Sequence, residues 1–323
     1  DNTRGDFLLH PAPLCLCPGE SFTVAWEIFR FREGTFFDRL QTFPHTVLVE
    51  ADNYTVFTDE PIEFTVRRPH ARVTWEGKAV PTVPTDGGTR VTFHPTRTGH
   101  HTFDIEADGV RTRAEFIVQI PFPELARRRA EFIVRHQQYR HETSALDGAY
   151  LIYDNQDVRM VFDQLNGDRN ACRERLVMGL FLARYLQYDR DPEIYDSLMR
   201  YYRFVTREFY DEESGEVYND IGKDPRRKRL YNAPWMSLFT MEMYRLTGDV
   251  SYLDKMYKLL CVYYTIGGEH FYPNGLSMYE TVTVLREAGR TEMAERLCAM
   301  YRRHVDNIVK TGTNYPEHEV KYE

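Results

Sequence analysis

Five polar and aromatic strings in the second half of the chain hold the residue types that could do chemistry. Histidine and tyrosine can transfer protons, and arginine can pair with a carboxylate through two parallel hydrogen bonds. Each string lies at the start or end of a predicted helix, where side chains from distant parts of the chain can converge on one cleft. The strings occupy residues 136–155, 170–175, 231–235, 269–272 and 314–323.

Predicted helices after residue 121 must position these strings. Apolar residues recur there at helical spacing, as in the stripe of Leu176, Leu180, Ala183 and Leu186. Asp and Pro mark helix starts, and Gly marks helix ends. The predicted helices cover about residues 124–139, 173–187, 193–209, 235–246, 249–263, 276–288 and 291–311.

The connections between these helices alternate in length. Tight turns at 188–191, 246–249 and 287–290 join pairs of helices, and longer segments follow each pair. Short turns on one rim and long segments on the other are typical of an α/α toroid, although a solenoid shares the hairpins, so ring closure stays open. Six hairpins need about 300 residues at roughly 50 each. We therefore expect the native polypeptide to continue beyond both ends.

Residues 47–120 have the pattern of a small all-β domain. Ile62, Phe64 and Val66 alternate with polar residues, and similar short runs follow between turn signals. Such runs predict an immunoglobulin-like β-sandwich. Phe22 to Ile28 also alternate, so we interpret residues 1–46 as the tail of an upstream β domain. The predicted fold class is multidomain α+β, an immunoglobulin-like β-sandwich followed by a partial α/α toroid at 121–323.

Composition excludes several function classes. The net charge is -8, and Lys and Arg are scattered, which disfavours nucleic acid as a partner. The five cysteines have irregular spacing and predict neither a disulfide framework nor a metal site. No apolar run is long enough to span a membrane. No phosphate-binding or dinucleotide motif is present, so no cofactor is expected. The 22 Tyr, 20 Phe and 3 Trp fit large cores, and they also suit sugar binding through aromatic faces.

The strings at 147–155, 170–179, 231–235 and 314–323 resemble those of bacterial polysaccharide-degrading enzymes with a β-sandwich followed by an α/α toroid. Within that group the chain is most similar to rhamnosyl-glucuronate lyases that act on arabinogalactan side chains. Unsaturated glucuronyl hydrolases and exo-β-glucuronidases are close competitors. The resemblance implies an acidic oligo- or polysaccharide as substrate and a secreted or periplasmic enzyme.

A lyase of this kind needs three chemical functions. A cation or amide must neutralise the uronate carboxylate, a base must remove the proton on the adjacent carbon, and an acid must protonate the leaving oxygen. The side chains suited to proton transfer are His136, Tyr139, Tyr153, Tyr315 and His318. Those suited to substrate binding are Asn155, Asn170, Arg173, Arg175, Tyr231, Asn232 and Trp235.

Two other functions remain open at this point. A glycoside hydrolase needs two carboxylates across the scissile bond, and the strings offer more candidates than one pair. They are Asp147, Asp154, Glu174, Glu269, Glu317, Glu319 and Glu323. A non-catalytic carbohydrate-binding or scaffold protein would use the sandwich for binding and the helices as a spacer. The His, Arg and Tyr residues on the long segments argue against it, because a spacer does not need them.

Overall fold

The computed structural model describes residues 15–23, 28–30, 32, 36–163, 173–225, 230–271 and 275–312, without the side chains of 173–175. The chain divides into two compact units, residues 7–126 and the part from residue 127 onward. The predicted division at residue 46, and the incompleteness of the helical domain, stay predictions.

The first unit contains two β-sheets within the described residues. The strands are β1 Val49–Glu50, β2 Thr55–Phe57, β3 Ile62–Val66, β4 Arg72–Trp75, β5 Lys78–Ala79, β6 Thr82–Thr85, β7 Gly88–Phe93, β8 Gly99–Ala107 and β9 Val110–Gln119. One sheet has the order β1-β3-β7-β6 and is antiparallel throughout. The other has the order β2-β9-β8-β4-β5, in which only β2 runs parallel to its neighbour β9.

The two sheets face each other across one apolar core. The ring of Phe64 from the first sheet packs on Phe103 and Phe116 from the second, with centroids 5.2 and 5.4 Å away. All three rings are almost fully buried, and burial of one such side chain contributes about 1.5–3 kcal/mol. The predicted alternation of Ile62, Phe64 and Val66 is confirmed. The immunoglobulin-like type of connection stays a prediction.

The segment before β1 differs from its predicted strand character. The described residues between 15 and 46 contain no strand, and α1 forms at Phe36–Gln41. Phe22 and Ile28 are largely exposed, whereas Val24 and Trp26 lie outside the described residues. An alternating run becomes a stable strand only where a partner strand pairs with it. Whether this segment belongs to an upstream domain stays a prediction.

The second unit is mainly helical. Its helices are α3 Arg173–Tyr185, α4 Pro192–Glu208, α5 Asn232–Thr247, α6 Ser251–Thr265, α7 Met278–Glu287 and α8 Thr291–Thr311, and α2 Phe122–Phe132 precedes them. These bounds confirm the helical periodicity, and the stripe from Leu176 to Leu186 is buried as predicted. Asp191 starts α4, because its Oδ1 accepts hydrogen bonds from the backbone N–H groups of Glu193 and Ile194 at 2.8 and 3.1 Å.

Three features of this unit differ from the prediction. α2 stops at Phe132 and continues as a π-helical turn, Ile133–Gln137. A two-stranded hairpin forms from β10 Ile152–Asp154 and β11 Arg159–Val161. α5 begins at Asn232, earlier than predicted, because a proline in the first turn needs no backbone donor and Pro234 is therefore tolerated there.

The helices pack as antiparallel pairs. The pairs are α3 with α4, α5 with α6, and α7 with α8, joined by short turns. Neighbouring pairs then pack through α3 against α5 and through α6 against α8. This arrangement places the starts of α3, α5 and α7 on one rim, where the long connecting segments lie. Closure into a ring stays a prediction. None of the described helices has the length and apolar character needed to cross a membrane.

Candidate functional site

The long segment between α4 and α5 folds back onto the end of α4. The carboxylate of Glu208 accepts hydrogen bonds from Arg207 Nε at 2.6 Å and from the backbone N–H of Gly222 at 3.1 Å. The backbone N–H of Tyr218 donates to the carbonyl of Phe209 at 2.8 Å. These contacts fix the segment on the rim and bury two polar side chains that it carries, Asn219 and Asp220.

Asn232 lies fully buried at the first residue of α5. Its Nδ2 donates to the carbonyl of Tyr218 at 3.3 Å, and its Oδ1 has no partner among the described residues. A buried amide must be at least partly hydrogen-bonded to be stable. In this conformation Asn232 joins the start of α5 to the segment that precedes it. Its side chain does not reach solvent for the sugar contact predicted from the sequence.

Aromatic side chains from α5 and from the segment after α6 meet on the same rim. The ring of Tyr231 is half-buried and meets the buried ring of Phe271 at 4.8 Å and 86°. The ring of Trp235 faces the backbone of Gly275, where an added Cβ would lie 3.4 Å away. Half-exposed aromatic rings of this kind can pack on the apolar faces of sugars.

A second group forms around the π-helical turn. His136 is exposed, and its ring lies 4.9 Å from Phe132 and 6.2 Å from Tyr153, centroid to centroid. Phe132 also contacts Tyr153 at 5.1 Å. Single π-helical turns are frequent at functional sites. The structure thus brings together two residues that were predicted to transfer protons. They are seventeen positions apart, His136 near the end of the predicted helix 124–139 and Tyr153 in the connecting segment that follows it.

A polysaccharide lyase of known structure shares this fold. It matches with 30% identity and a TM-score of 0.78 over 86% of this chain. The chain spans 43% of the length of that lyase.

Weaker matches include glycoside hydrolases. A thermostable endoglucanase mutant from Alicyclobacillus acidocaldarius matches with 13% identity and a TM-score of 0.34, over 80% of this chain and 62% of its own. A family 76 glycoside hydrolase from Bacteroides thetaiotaomicron matches with 9% identity and a TM-score of 0.33, over 81% of this chain and 77% of the hydrolase. At TM-scores this low, neither match bears on the function of this chain. No protein-family model and no curated protein matches the sequence.

The remaining predicted residues are placed as follows. Tyr139 is half-buried, with its ring stacked on His141 at 6.3 Å, and Asn155 is exposed in the turn between β10 and β11. Arg173 and Arg175 lie in the first turn of α3, and their side chains are not described. Asn170, Tyr315 and His318 lie outside the described residues. No described contact joins the group around His136 to the group around Tyr231.

Three carboxylates that were candidates for a glycoside hydrolase, Asp147, Asp154 and Glu269, have partners close by. Asp147 accepts from the backbone N–H of His141 at 2.9 Å and lies 3.4 Å from Arg200 Nη1. Asp154 accepts from two backbone N–H groups of its own turn, and Glu269 lies 3.5 Å from His270 Nε2. Within the described ranges, no three His, Cys, Asp or Glu residues lie close enough together to hold a metal ion.

Sequence reasoning missed several residues of the rim. They are Glu208, Asn219, Asp220, Phe271 and His304. A signal existed for His304, which follows Leu297 and Tyr301 on the buried stripe of α8. A similar signal existed for Glu208, which follows Tyr201 and Val205 on the buried stripe of α4. In both places a polar residue stands where an apolar one is expected. The others lie in or beside long segments, where residue spacing does not indicate burial.

Proposed function

We propose that this chain is part of a polysaccharide lyase that cleaves at glucuronate by β-elimination, with rhamnosyl-glucuronate as the preferred linkage. The observation that supports this proposal is the likeness to a polysaccharide lyase, at 30% identity and a TM-score of 0.78 over most of the chain. The polar and aromatic rim residues fit the chemistry. A polysaccharide substrate also implies a secreted or periplasmic enzyme.

In the proposed reaction, a base removes the proton on the carbon that carries the uronate carboxylate. The electron pair of that C–H bond becomes a carbon–carbon double bond, and the bond from the neighbouring carbon to the leaving oxygen breaks. An acid then protonates the leaving oxygen. Neutralisation of the carboxylate makes the first proton more acidic. The reaction consumes no water, whereas glycoside hydrolysis consumes one molecule.

We assign binding of the uronate carboxylate to Arg173 or Arg175 at the start of α3, because guanidinium binds carboxylate with two parallel hydrogen bonds. We assign the proton transfers to His136 and Tyr153, whose ring centroids lie 6.2 Å apart. Tyr139, Tyr315 and His318 are further candidates. Tyr231 and Trp235 would pack on sugar rings, and Asn155 and Asn170 would bind hydroxyl groups.

The full-length polypeptide that contains this chain should be incubated with a glucuronate-containing oligosaccharide. We expect a new short-wavelength ultraviolet absorbance from the double bond conjugated with the carboxylate of the unsaturated uronate, and product masses that add up to the substrate mass without water. A substrate whose carboxylate has been reduced to an alcohol should not be cleaved, because its ring proton is no longer acidified.

Two results would contradict the proposal. Products that contain an added water would identify a hydrolase instead. Binding of the sugar with neither reaction would favour a scaffold. Arg173→Ala and Arg175→Ala should weaken binding of the glucuronate oligosaccharide, and unchanged binding in both variants would remove the proposed carboxylate site.

A further inference from the structure

His304 lies fully buried in α8, with both ring nitrogens in hydrogen bonds. Its Nε2 lies 2.8 Å from the carbonyl oxygen of Phe271, and its Nδ1 lies 3.1 Å from the hydroxyl of Tyr264. A carbonyl oxygen can only accept, so Nε2 holds the proton and donates it. In the neutral ring Nδ1 is then the acceptor, and Tyr264 donates to it. The two contacts therefore fix one neutral tautomer of the ring.

Asn307 lies one turn further along the same face of α8. Its Nδ2 donates to the carbonyl of Glu269 at 2.8 Å and lies 3.0 Å from His270 Nδ1. Two side chains of α8 thus hold the carbonyl groups of residues 269 and 271, on either side of the end of the short 3₁₀ turn Gly268–His270.

The same turn is also confined from α6. A Cβ added at Gly268 would lie 2.2–2.6 Å from the ring atoms of Tyr263, which is fully buried and cannot move aside. No side chain fits at this position, so the turn can approach α6 only through glycine. Contacts from α6 and α8 together determine where the turn places the next residue, Phe271.

Phe271 transmits this placement to the candidate site. Its ring is buried and meets the ring of Tyr231 edge to face at 4.8 Å. A continuous set of contacts therefore runs from Tyr264 through His304 to Phe271 and on to Tyr231. An edge-to-face pair has a preferred geometry, so a displaced Phe271 would also displace Tyr231.

We propose that His304 is a positioning residue for the substrate site, and that it acts through Phe271 to hold Tyr231 in place to receive a sugar ring. Asn307 has the same role at the neighbouring carbonyl. This inference rests on the proposed function for the part that concerns substrate. His304 itself is buried and does not contact the sugar.

The test uses His304→Leu and His304→Gln in the full-length polypeptide. Leucine removes both hydrogen bonds, whereas the Nε2 of glutamine can still donate to the carbonyl of Phe271. We expect His304→Leu to raise KM for a glucuronate oligosaccharide about tenfold, because a displaced Tyr231 would lose its contact with the sugar ring, with a smaller change in kcat. His304→Gln should recover most of the loss.

Tyr301→Phe is the matched control. The hydroxyl of Tyr301 is buried on the same helix and lies 2.7 Å from Thr281 Oγ1, without a described contact to the turn at 268–270. Its loss should lower stability to a similar degree and leave KM unchanged. If His304→Leu does not fold, Asn307→Leu tests the same turn from the second side chain.

Amide hydrogen exchange separates the two proposals. We expect faster exchange at residues 268–271 and 231–235 in His304→Leu than in wild type. Unchanged exchange at Tyr231 and unchanged KM in a folded variant would overturn the inference and leave His304 as a core residue. If wild type acts on no uronate substrate, the proposed function fails, and exchange at 231–235 alone decides whether His304 positions Tyr231.

Discussion

The ring of Phe271 meets the ring of Tyr231 almost at a right angle, with 4.8 Å between the two centroids. The two residues are forty positions apart. Tyr231 precedes α5, and Phe271 follows α6 and the 3₁₀ turn. Edge-to-face pairs contribute about 0.5–1.5 kcal/mol beyond the area they bury. The contact therefore joins the start of α5 to the segment after α6.

A double-mutant cycle with Tyr231→Leu and Phe271→Leu should detect this contact. We expect a coupling free energy of about 0.5–1.5 kcal/mol between the two positions in urea unfolding. A cycle between Tyr231 and Phe209, a buried ring for which no contact with Tyr231 is described, is the control and should be additive. Additivity in the first cycle would show that the ring pair does not stabilise the rim.

Glu242 should be important for stability and not for the candidate site. Its carboxylate is almost fully buried and accepts from Arg184 Nε at 3.0 Å, Arg245 Nη1 at 2.7 Å and Gln187 Nε2 at 2.9 Å. Glu242→Ala leaves these donors without their acceptor, and we expect a loss of about 1–3 kcal/mol because the arginines remain partly solvated.

The matched control for Glu242 is Glu295→Ala. Glu295 pairs with Arg286 at 2.7 Å, but both side chains are more than half exposed. Its removal should change the free energy of unfolding by less than about 1 kcal/mol. Equal losses in the two variants, measured by urea unfolding, would contradict the importance of burial at Glu242.

Gly179→Ala should destabilise α3 even though alanine favours helices. An added Cβ would lie 2.5 and 2.8 Å from two ring carbons of Tyr201, which is fully buried. Overpacking of this kind costs about 1–3 kcal/mol, more than the gain of about 1 kcal/mol in helix propensity. Val177→Ala, at an exposed position of the same helix, should be close to neutral. A raised thermal midpoint in Gly179→Ala would disprove the close contact.

His304 should make stability depend on pH. Burial lowers the pKa of His304 below its usual value of 6.5, although the carbonyl of Phe271 and the nearby Glu269 act in the other direction, and the nearby His270 lowers it further. Below 6.5 the unfolded chain binds a proton that the folded chain does not. The contribution of His304 to the free energy of unfolding is therefore fully present above pH 6.5 and is lost as the pH falls below that value.

The measurement compares urea unfolding of wild type and His304→Gln on both sides of pH 6.5. Glutamine does not titrate, so the difference between the two proteins should grow in favour of the variant as the solution becomes more acidic. A difference that stays constant with pH would mean that His304 keeps its ordinary pKa in the folded protein.

Residue spacing alone was enough to predict the helices α3 to α8 and the strands β3, β4, β7, β8 and β9. Leu176, Leu180 and Ala183 recur at the period of a helix, and Ile62, Phe64 and Val66 at the period of a strand, because each period places the apolar residues on one face. Asp191 followed by Pro192 predicted the start of α4 for an equally local reason, since capping involves only the first turn.

Only the tertiary structure decided which residues of the rim meet. The contacts of Phe271 with Tyr231 and of His304 with Phe271 join residues 40 and 33 positions apart. Tyr231 and Phe271 lie on segments that show no periodicity of their own. The burial of Asn232 likewise depends on the carbonyl of Tyr218, fourteen residues earlier. Helical and strand periods indicate which face of an element is buried. Contacts between elements depend on how the helix pairs pack against one another, and the spacing of residues within one element does not determine this packing.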